Sequence, residues 1–227
     1  MTEHEDDEPA PVTEGAIKDK LVEAKKKTAE QGRHLTGETD ARRENRLPPG
    51  QHKVDKWPVL DLGVTPKVAK EDWRLRVDGL VENPLILSYA DLMSAPQMEQ
   101  VCDIHCVTTW SRFDNRFEGV STQVILEAAK PLADVRHVIF HAHDGYTTNV
   151  TLEAFADADV MLAHSWEGEP LTFEHGGPVR MLMPQWYFWK SAKWVRRIEF
   201  TAEDRPGFWE ERGYHNRADP WEEERYS

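Results

Sequence analysis

From Trp73 onward the chain alternates apolar and polar residues. WRLRVDGLV has the period of two that puts one face of a strand on a core. Asp78-Gly79 predicts a turn after it, and NPLILSYADL predicts a second strand running into a short helix at YADLMSA. QVCDIHCVT is a further strand candidate. VSTQVILEAAKPL then takes up helical spacing, opened by Ser121 or Thr122 as N-cap. HVIFHAHDGYTTNVTLEAF holds two strands around Asp144-Gly145, and PVRMLMP and WVRRIEFTAE are strands before a polar tail rich in Trp, Tyr and Glu. The sum is a mixed α+β fold, mostly β, with short helices at its edges.

Upstream the pattern changes twice. Residues 1 to about 15 are acidic and contain Pro, and 16–35 read as a helix of good formers with weak apolar periodicity. Residues 1–46 are therefore expected to be an arm, and 47–227 the folded domain. LPPGQHKVDKWPVLDLGVTP opens that domain as an extended path with four prolines, suited to cross a surface or cover a ligand.

Composition narrows the function. With 39% hydrophobic residues among 227, a substantial core forms. A net charge of -13, from 41 carboxylates against 28 Lys and Arg, opposes a nucleic-acid partner. No apolar run approaches the roughly 18 residues of a membrane span. The first residues are acidic where a secretory signal is basic, and Arg42-Arg43 is followed by a polar stretch, so a cytoplasmic location is expected. Cys102 and Cys106, four apart, suggest chemistry or core packing in preference to a disulfide.

The candidate chemistry is modest when each motif stands alone. On one regular strand Cys102 and Cys106 share a face and His105 takes the other, a poor geometry for zinc, and two buried thiols are the plain alternative. His141 and His143 share a strand face and suit either a metal or acid-base site or hydrogen-bonded packing. Gly176-Gly177 suits an anion at the backbone or an ordinary turn. Lys190, Ser191 and Lys193 in YFWKSAKW, with Arg180, suit a phosphate whose ligand body lies in an apolar cleft, or lysines projecting to water.

Taken in order, these segments resemble the molybdopterin domain shared by sulfite oxidase, plant-type nitrate reductase and the bacterial methionine sulfoxide reductase catalytic subunit. EDWRLRVDGLVENPLILSYADL is similar to the family's opening segment and HCVTTW to its metal-thiolate loop. FEGVSTQVILEAA resembles the helix that follows, and HGGPVRMLMPQWYFWKSAKWVRRIEF the cofactor-binding stretch. The likeness covers residues 50 to 227. It implies a sulfite oxidase-type molybdopterin-binding fold and a two-electron oxygen-atom transfer on a small substrate. It makes Cys106 the thiolate ligand of molybdenum, a soft ligand suited to that metal. It assigns Lys190, Ser191 and Lys193 to the pterin phosphate, His175 and Arg180 to cofactor contacts, and Trp57 to covering the cofactor. Cys102 is left to packing.

FWEERGYHN resembles a sulfite oxidase segment whose tyrosine reaches the substrate, which makes Tyr214 the hydrogen-bonding residue at the metal. Val54-Asp55-Lys56 stand where sulfite oxidases carry a sulfite-binding arginine, so sulfite loses support as the substrate. The chain carries no recognisable haem domain or immunoglobulin-like dimerisation domain, and the resemblance implies no appended nucleotide on the pterin. Electrons are therefore expected to pass to or from a separate donor or acceptor. Two other readings compete: a non-catalytic binding module that keeps the fold, and a zinc hydrolase built on His141 and His143, which lacks a clear third ligand.

Overall fold

The structure is a computed structural model that describes residues 46–227. The acidic segment and the helix expected over 16–35 lie outside the described residues.

The strands of the first half are β1 (His52–Lys53), β2 (Arg74–Gly79), β3 (Leu85–Ser88), β4 (Met98–His105) and β5 (Trp110–Ser121). Those of the second half are β6 (His137–Ala142), β7 (Thr147–Thr151), β8 (Met161–Trp166), β9 (Glu169–Pro170), β10 (Arg180–Leu182) and β11 (Val195–Thr201). The helices are α1 (Tyr89–Ser94), α2 (Thr122–Ala129) and α3 (Leu152–Phe155). One sheet runs β1-β5-β8-β10, with β4 on β5 and β9 on β8; the other runs β3-β2-β11-β6-β7. This is the mostly β, short-helix architecture that the periodicity predicts.

The larger core cluster lies between the two sheets. Along β8 and β10, Leu162 and Met181 join it, with Met183 just past β10, while Met161, Ala163 and Leu182 turn to a second cluster with Trp57, Cys102, Cys106, Trp110 and Phe117. Alternation along two strands thus gives the first sheet a core on each face. That sandwiched position is why β8, MLAHSW, lacks the polar half that marks a one-sided strand.

The helices begin where the sequence signals them. Ser88 caps α1 in a reciprocal capping box with Asp91, and Ser121, not Thr122, caps α2. Thr122 instead donates its hydroxyl to Phe155 O at 2.7 Å.

Asp78-Gly79 is not the hairpin turn that its composition suggests. The strand continues through it in parallel register with β11, Gly79 opposite Phe200, and the chain reverses afterwards. Gly79 has φ +90 and lies so close to Phe200 that a Cβ would meet its carbonyl oxygen at 2.2 Å. Asp78 is buried and accepts from Arg76 and, at 2.8 Å, from Arg197 Nε.

Trp73 fixes the start of β2. It is fully buried and its indole N–H donates to Val195 O at 2.9 Å, tying β2 to β11 across 122 residues of chain. Trp73→Ala removes a large core side chain and leaves that carbonyl unpaired. We expect a loss of about 3–5 kcal/mol, read as a lower denaturation midpoint at unchanged m-value.

Candidate active site

Six segments converge on one cleft, which encloses about 1070 Å³ including the solvent at its mouth. They are the extended strap around Trp57, the turn after β4, the turn between β6 and β7 with Asp144 and Tyr146, the stretch from Glu174 to Arg180, the stretch from Phe188 to Trp194, and the C-terminal segment with Trp209 and Tyr214. Trp57, Cys106, His175, Arg180, Ser191, Lys193 and Tyr214 all line it. Lys190 does not.

Cys106 follows β4 directly, in a tight turn closed by Thr109 N donating to Cys106 O at 3.0 Å. Thr109 holds φ 75 there. Gln51 Nε2 donates to Cys106 O at 2.9 Å, His52 N donates to Thr109 O, and Arg225 Nη1 donates to Val107 O. Chain from both ends of the domain thus clamps the turn. Burial pushes the Cys106 thiol up, while the Thr108 hydroxyl at 3.2 Å and the Arg225 charge pull it down. Cys102 lies in the second core cluster, four residues back, as packing.

Arg180 carries the strongest electrostatic signal in the cleft. Its guanidinium is 2% exposed and donates to three backbone carbonyls: Met181 O at 3.2 Å, His175 O at 2.8 Å and Ser191 O at 2.7 Å. Among the described residues no carboxylate pairs with it, and burial lowers it to about 9. The guanidinium lies over the rings of Phe188 and Trp57. A buried cation without a counter-ion on the wall of an open cleft is half of an anion site.

Lys193 supplies a second cation on that wall. Its ammonium donates to Glu174 O at 2.8 Å, and burial together with the Arg180 charge lowers it to about 8, against Asp61, Asp144 and Glu174. The ammonium therefore loses its charge as pH rises through about 8, and so does its attraction for an anion. Isothermal titration with inorganic phosphate is expected to show weaker binding at pH 9 than at pH 7, and less of that difference in Lys193→Met. Stability of the ligand-free chain moves the other way. Unfolded lysine stays charged to about 10.5, so between pH 8 and 10.5 the unfolded state binds more protons and this group favours folding as pH rises.

His175 stacks on Trp57 with ring centroids 4.1 Å apart, and burial lowers its pKa, which keeps the ring neutral. Ser191 is buried and its hydroxyl accepts from Met183 N at 2.9 Å. Gly176 and Gly177 donate their N–H groups to Phe173 O and Thr172 O, so this pair serves the turn. A Cβ at Gly176 would meet Lys193 Cβ at 2.8 Å, which explains the glycine.

The aromatic wall is the part that sequence reasoning mostly missed. Tyr214 stacks on Trp209 at 4.9 Å and meets Trp189 edge-on at 5.0 Å. Burial and the neighbouring Tyr226 raise its pKa, so the phenol keeps its proton. Tyr146 also lines the cleft and donates its hydroxyl to Trp189 O at 2.7 Å. The density of Trp and Tyr in the tail was the signal for this wall; their positions came only with the fold.

Lys190 departs from the expected phosphate contact. It lies on a 3₁₀ turn (Phe188–Lys190) with its ammonium turned away from the cleft to Glu210 at 2.6 Å. His141 is likewise engaged, with Nε2 2.9 Å from Glu199. Among the described residues no group of three or more His, Cys, Asp or Glu could hold a metal ion.

The architecture is that of the sulfite oxidase-type molybdopterin proteins, and the cleft places a thiol and an unneutralised guanidinium on one wall. Over residues 62–209 the chain matches the family described as the oxidoreductase molybdopterin binding domain, and it belongs to that family. It is an enzyme of the oxidoreductase class. An uncharacterized oxidoreductase of Bacillus subtilis (strain 168), YuiH, is 48% identical over 80% of this chain and 92% of its own. The protein-methionine-sulfoxide reductase catalytic subunit MsrP of Campylobacter jejuni is 28% identical over 66% of this chain and 58% of its own. The sulfane dehydrogenase SoxCD from Paracoccus pantotrophus superposes with a TM-score of 0.57 at 26% identity, covering 61% of this chain and 40% of that one. The chain thus spans nearly all of the Bacillus relative but little more than half of the reductase subunit.

Proposed function

We propose that this chain transfers an oxygen atom between a small, uncharged substrate and a molybdenum-molybdopterin cofactor, a two-electron reaction, with Cys106 as the thiolate on the metal. The observation that carries the reading is Arg180. Its buried, unneutralised guanidinium lines the same cleft as the Cys106 thiol, so the donor set fits a ligand with a phosphate at one end and a soft metal at the other. Arg180, Lys193 and Ser191 would hold the phosphate, with His175 and Trp57 packed against the pterin.

When bound, the cofactor supplies the two-electron redox step. The chain's own residues do the rest. Cys106 is held at a fixed angle by the clamped turn. The aromatic wall excludes water, and the protonated Tyr214 phenol donates a hydrogen bond to the substrate oxygen.

An uncharged substrate fits the lining near Cys106: Val107, Thr108, Trp110, Trp189, Trp209 and Tyr214 carry no charge. Arg225, whose charge acts on Cys106, is committed to Val107 O and Pro49 O. The methionine-sulfoxide reductase relative favours the same class of substrate. The reading includes a separate electron donor or acceptor, and a cytoplasmic location that cell fractionation tests. Among the described residues no helix is long and apolar enough to cross a membrane.

A panel of alkyl sulfoxides, N-oxides, sulfite and nitrate tests this, with reduced viologen as donor for the oxides and nitrate and ferricyanide as acceptor for sulfite. We expect turnover of an uncharged oxide to exceed that of either anion, and Tyr214→Phe to lower kcat by about 10- to 100-fold, since one hydrogen bond to an oxygen that gains charge contributes about 1.5–3 kcal/mol. Turnover of sulfite or nitrate alone would overturn the substrate assignment.

A further inference from the structure

We infer that Lys190 and Glu210 form a buried latch that positions the aromatic wall of the cleft, and that Lys190 does not bind the cofactor's phosphate. The inference rests on the molybdopterin reading above. The two side chains are 1% and 2% exposed. An ammonium has three N–H donors, and the three of Lys190 meet three acceptors: Glu210 Oε1 at 2.6 Å, Asn149 O at 2.8 Å and Asn149 Oδ1 at 3.2 Å. None is left for a ligand. Lys193, by contrast, lines the cleft with a single carbonyl partner.

Glu210 is where three segments meet. The same Oε1 accepts from Trp189 Nε1 at 2.9 Å and from Thr148 Oγ1 at 2.9 Å. Thr148 belongs to β7, Trp189 to the 3₁₀ turn that also carries Lys190, and Glu210 to the C-terminal segment. The carboxylate therefore fixes the tail against the second sheet. It reaches Tyr214 by two routes, through its chain neighbour Trp209, stacked on the phenol, and through Trp189, edge-on to it. Lys190 neutralises the carboxylate so that it can stay buried. Removing one partner alone leaves the other as an uncompensated buried charge, whereas replacing both with apolar side chains of similar size does not. Both are positioning residues, since neither touches the cleft.

The test compares wild type, Lys190→Met and the double variant Lys190→Met/Glu210→Met, made in a host that assembles the cofactor. Three readouts are taken: molybdenum and pterin per chain, the Mo(V) electron paramagnetic resonance spectrum, and acrylamide quenching of tryptophan fluorescence. The latch predicts that Lys190→Met keeps most of its cofactor, shifts the Mo(V) spectrum and increases quenching. The added quenching is expected to disappear when Trp189 and Trp209 are replaced by Phe, and the double variant is expected to keep both signals shifted, because Glu210→Met also removes the acceptor shared by Trp189 and Thr148. Loss of most of the cofactor, with an unchanged spectrum in what remains, would overturn the latch in favour of a phosphate contact. Unchanged spectrum and quenching at full cofactor content would overturn it as well. A wild type without molybdenum or pterin would sink the cofactor reading, and the quenching comparison would still decide the latch.

Discussion

Cys106→Ser is expected to fold, to keep its aromatic cleft and to lose nearly all redox activity. The side chain sits in a turn held by backbone and by Gln51, His52 and Arg225, none of which bonds the sulfur. Replacing sulfur with oxygen therefore leaves the framework intact and removes only the soft ligand. Outer-shell partners of metal sites typically carry about 10- to 100-fold in activity or affinity, so a direct ligand is expected to carry at least about 100-fold. Steady-state turnover per pterin, with the melting temperature as control, measures it. Activity per pterin near wild type in a well-folded Cys106→Ser protein would remove the thiolate from the account.

Arg180→Met carries the second large effect, of a different kind. The substitution removes the buried cation and also frees three buried carbonyls, those of His175, Met181 and Ser191. Truncating one partner of a buried charged pair costs about 2–5 kcal/mol of binding. Cofactor retention is therefore expected to fall by roughly 30-fold or more, at about 1.4 kcal/mol per tenfold. Some loss of stability is also expected, because each unsatisfied buried group costs about 1–3 kcal/mol. Arg180→Lys is expected to recover little, since one ammonium has three donors against the five of a planar guanidinium and cannot span the same three carbonyls. Pterin fluorescence after gel filtration reads retention, and chemical denaturation of the cofactor-free protein reads stability separately.

Most of the strands were legible because their alternation is local. β2, β3, β6, β7 and β11 each turn one face to the inter-sheet core, and period two is visible in their sequences. β5 and β8 were not legible. β5 is interrupted by Arg112, Asp114 and Arg116, with Asp114 at φ 54 and a register shift after Glu118, so its few apolar residues fall out of step. β8 is buried on both faces and shows no alternation. Asp78-Gly79 misled because the parallel approach of β11, which demands the glycine, comes from Phe200, far along the sequence.

The same distinction applies to the site. Family motifs carry Trp57, Cys106, His175, Arg180, Ser191, Lys193 and Tyr214 at scattered positions of the sequence, and the fold brings them to one cleft. Lys190 and Lys193 are indistinguishable in a motif three residues apart, yet a 3₁₀ turn sends one ammonium inward to Glu210 and leaves the other on the cleft wall. Glu210, lost among the glutamates of the tail, becomes identifiable only when β7 and the turn at 188–190 close around it.

The most direct measurement is the metal and pterin content of the chain purified from a host able to make the molybdenum cofactor, by mass spectrometry and fluorescence. About one molybdenum and one pterin per chain is the predicted result; zinc, or no metal and no pterin, would contradict the account.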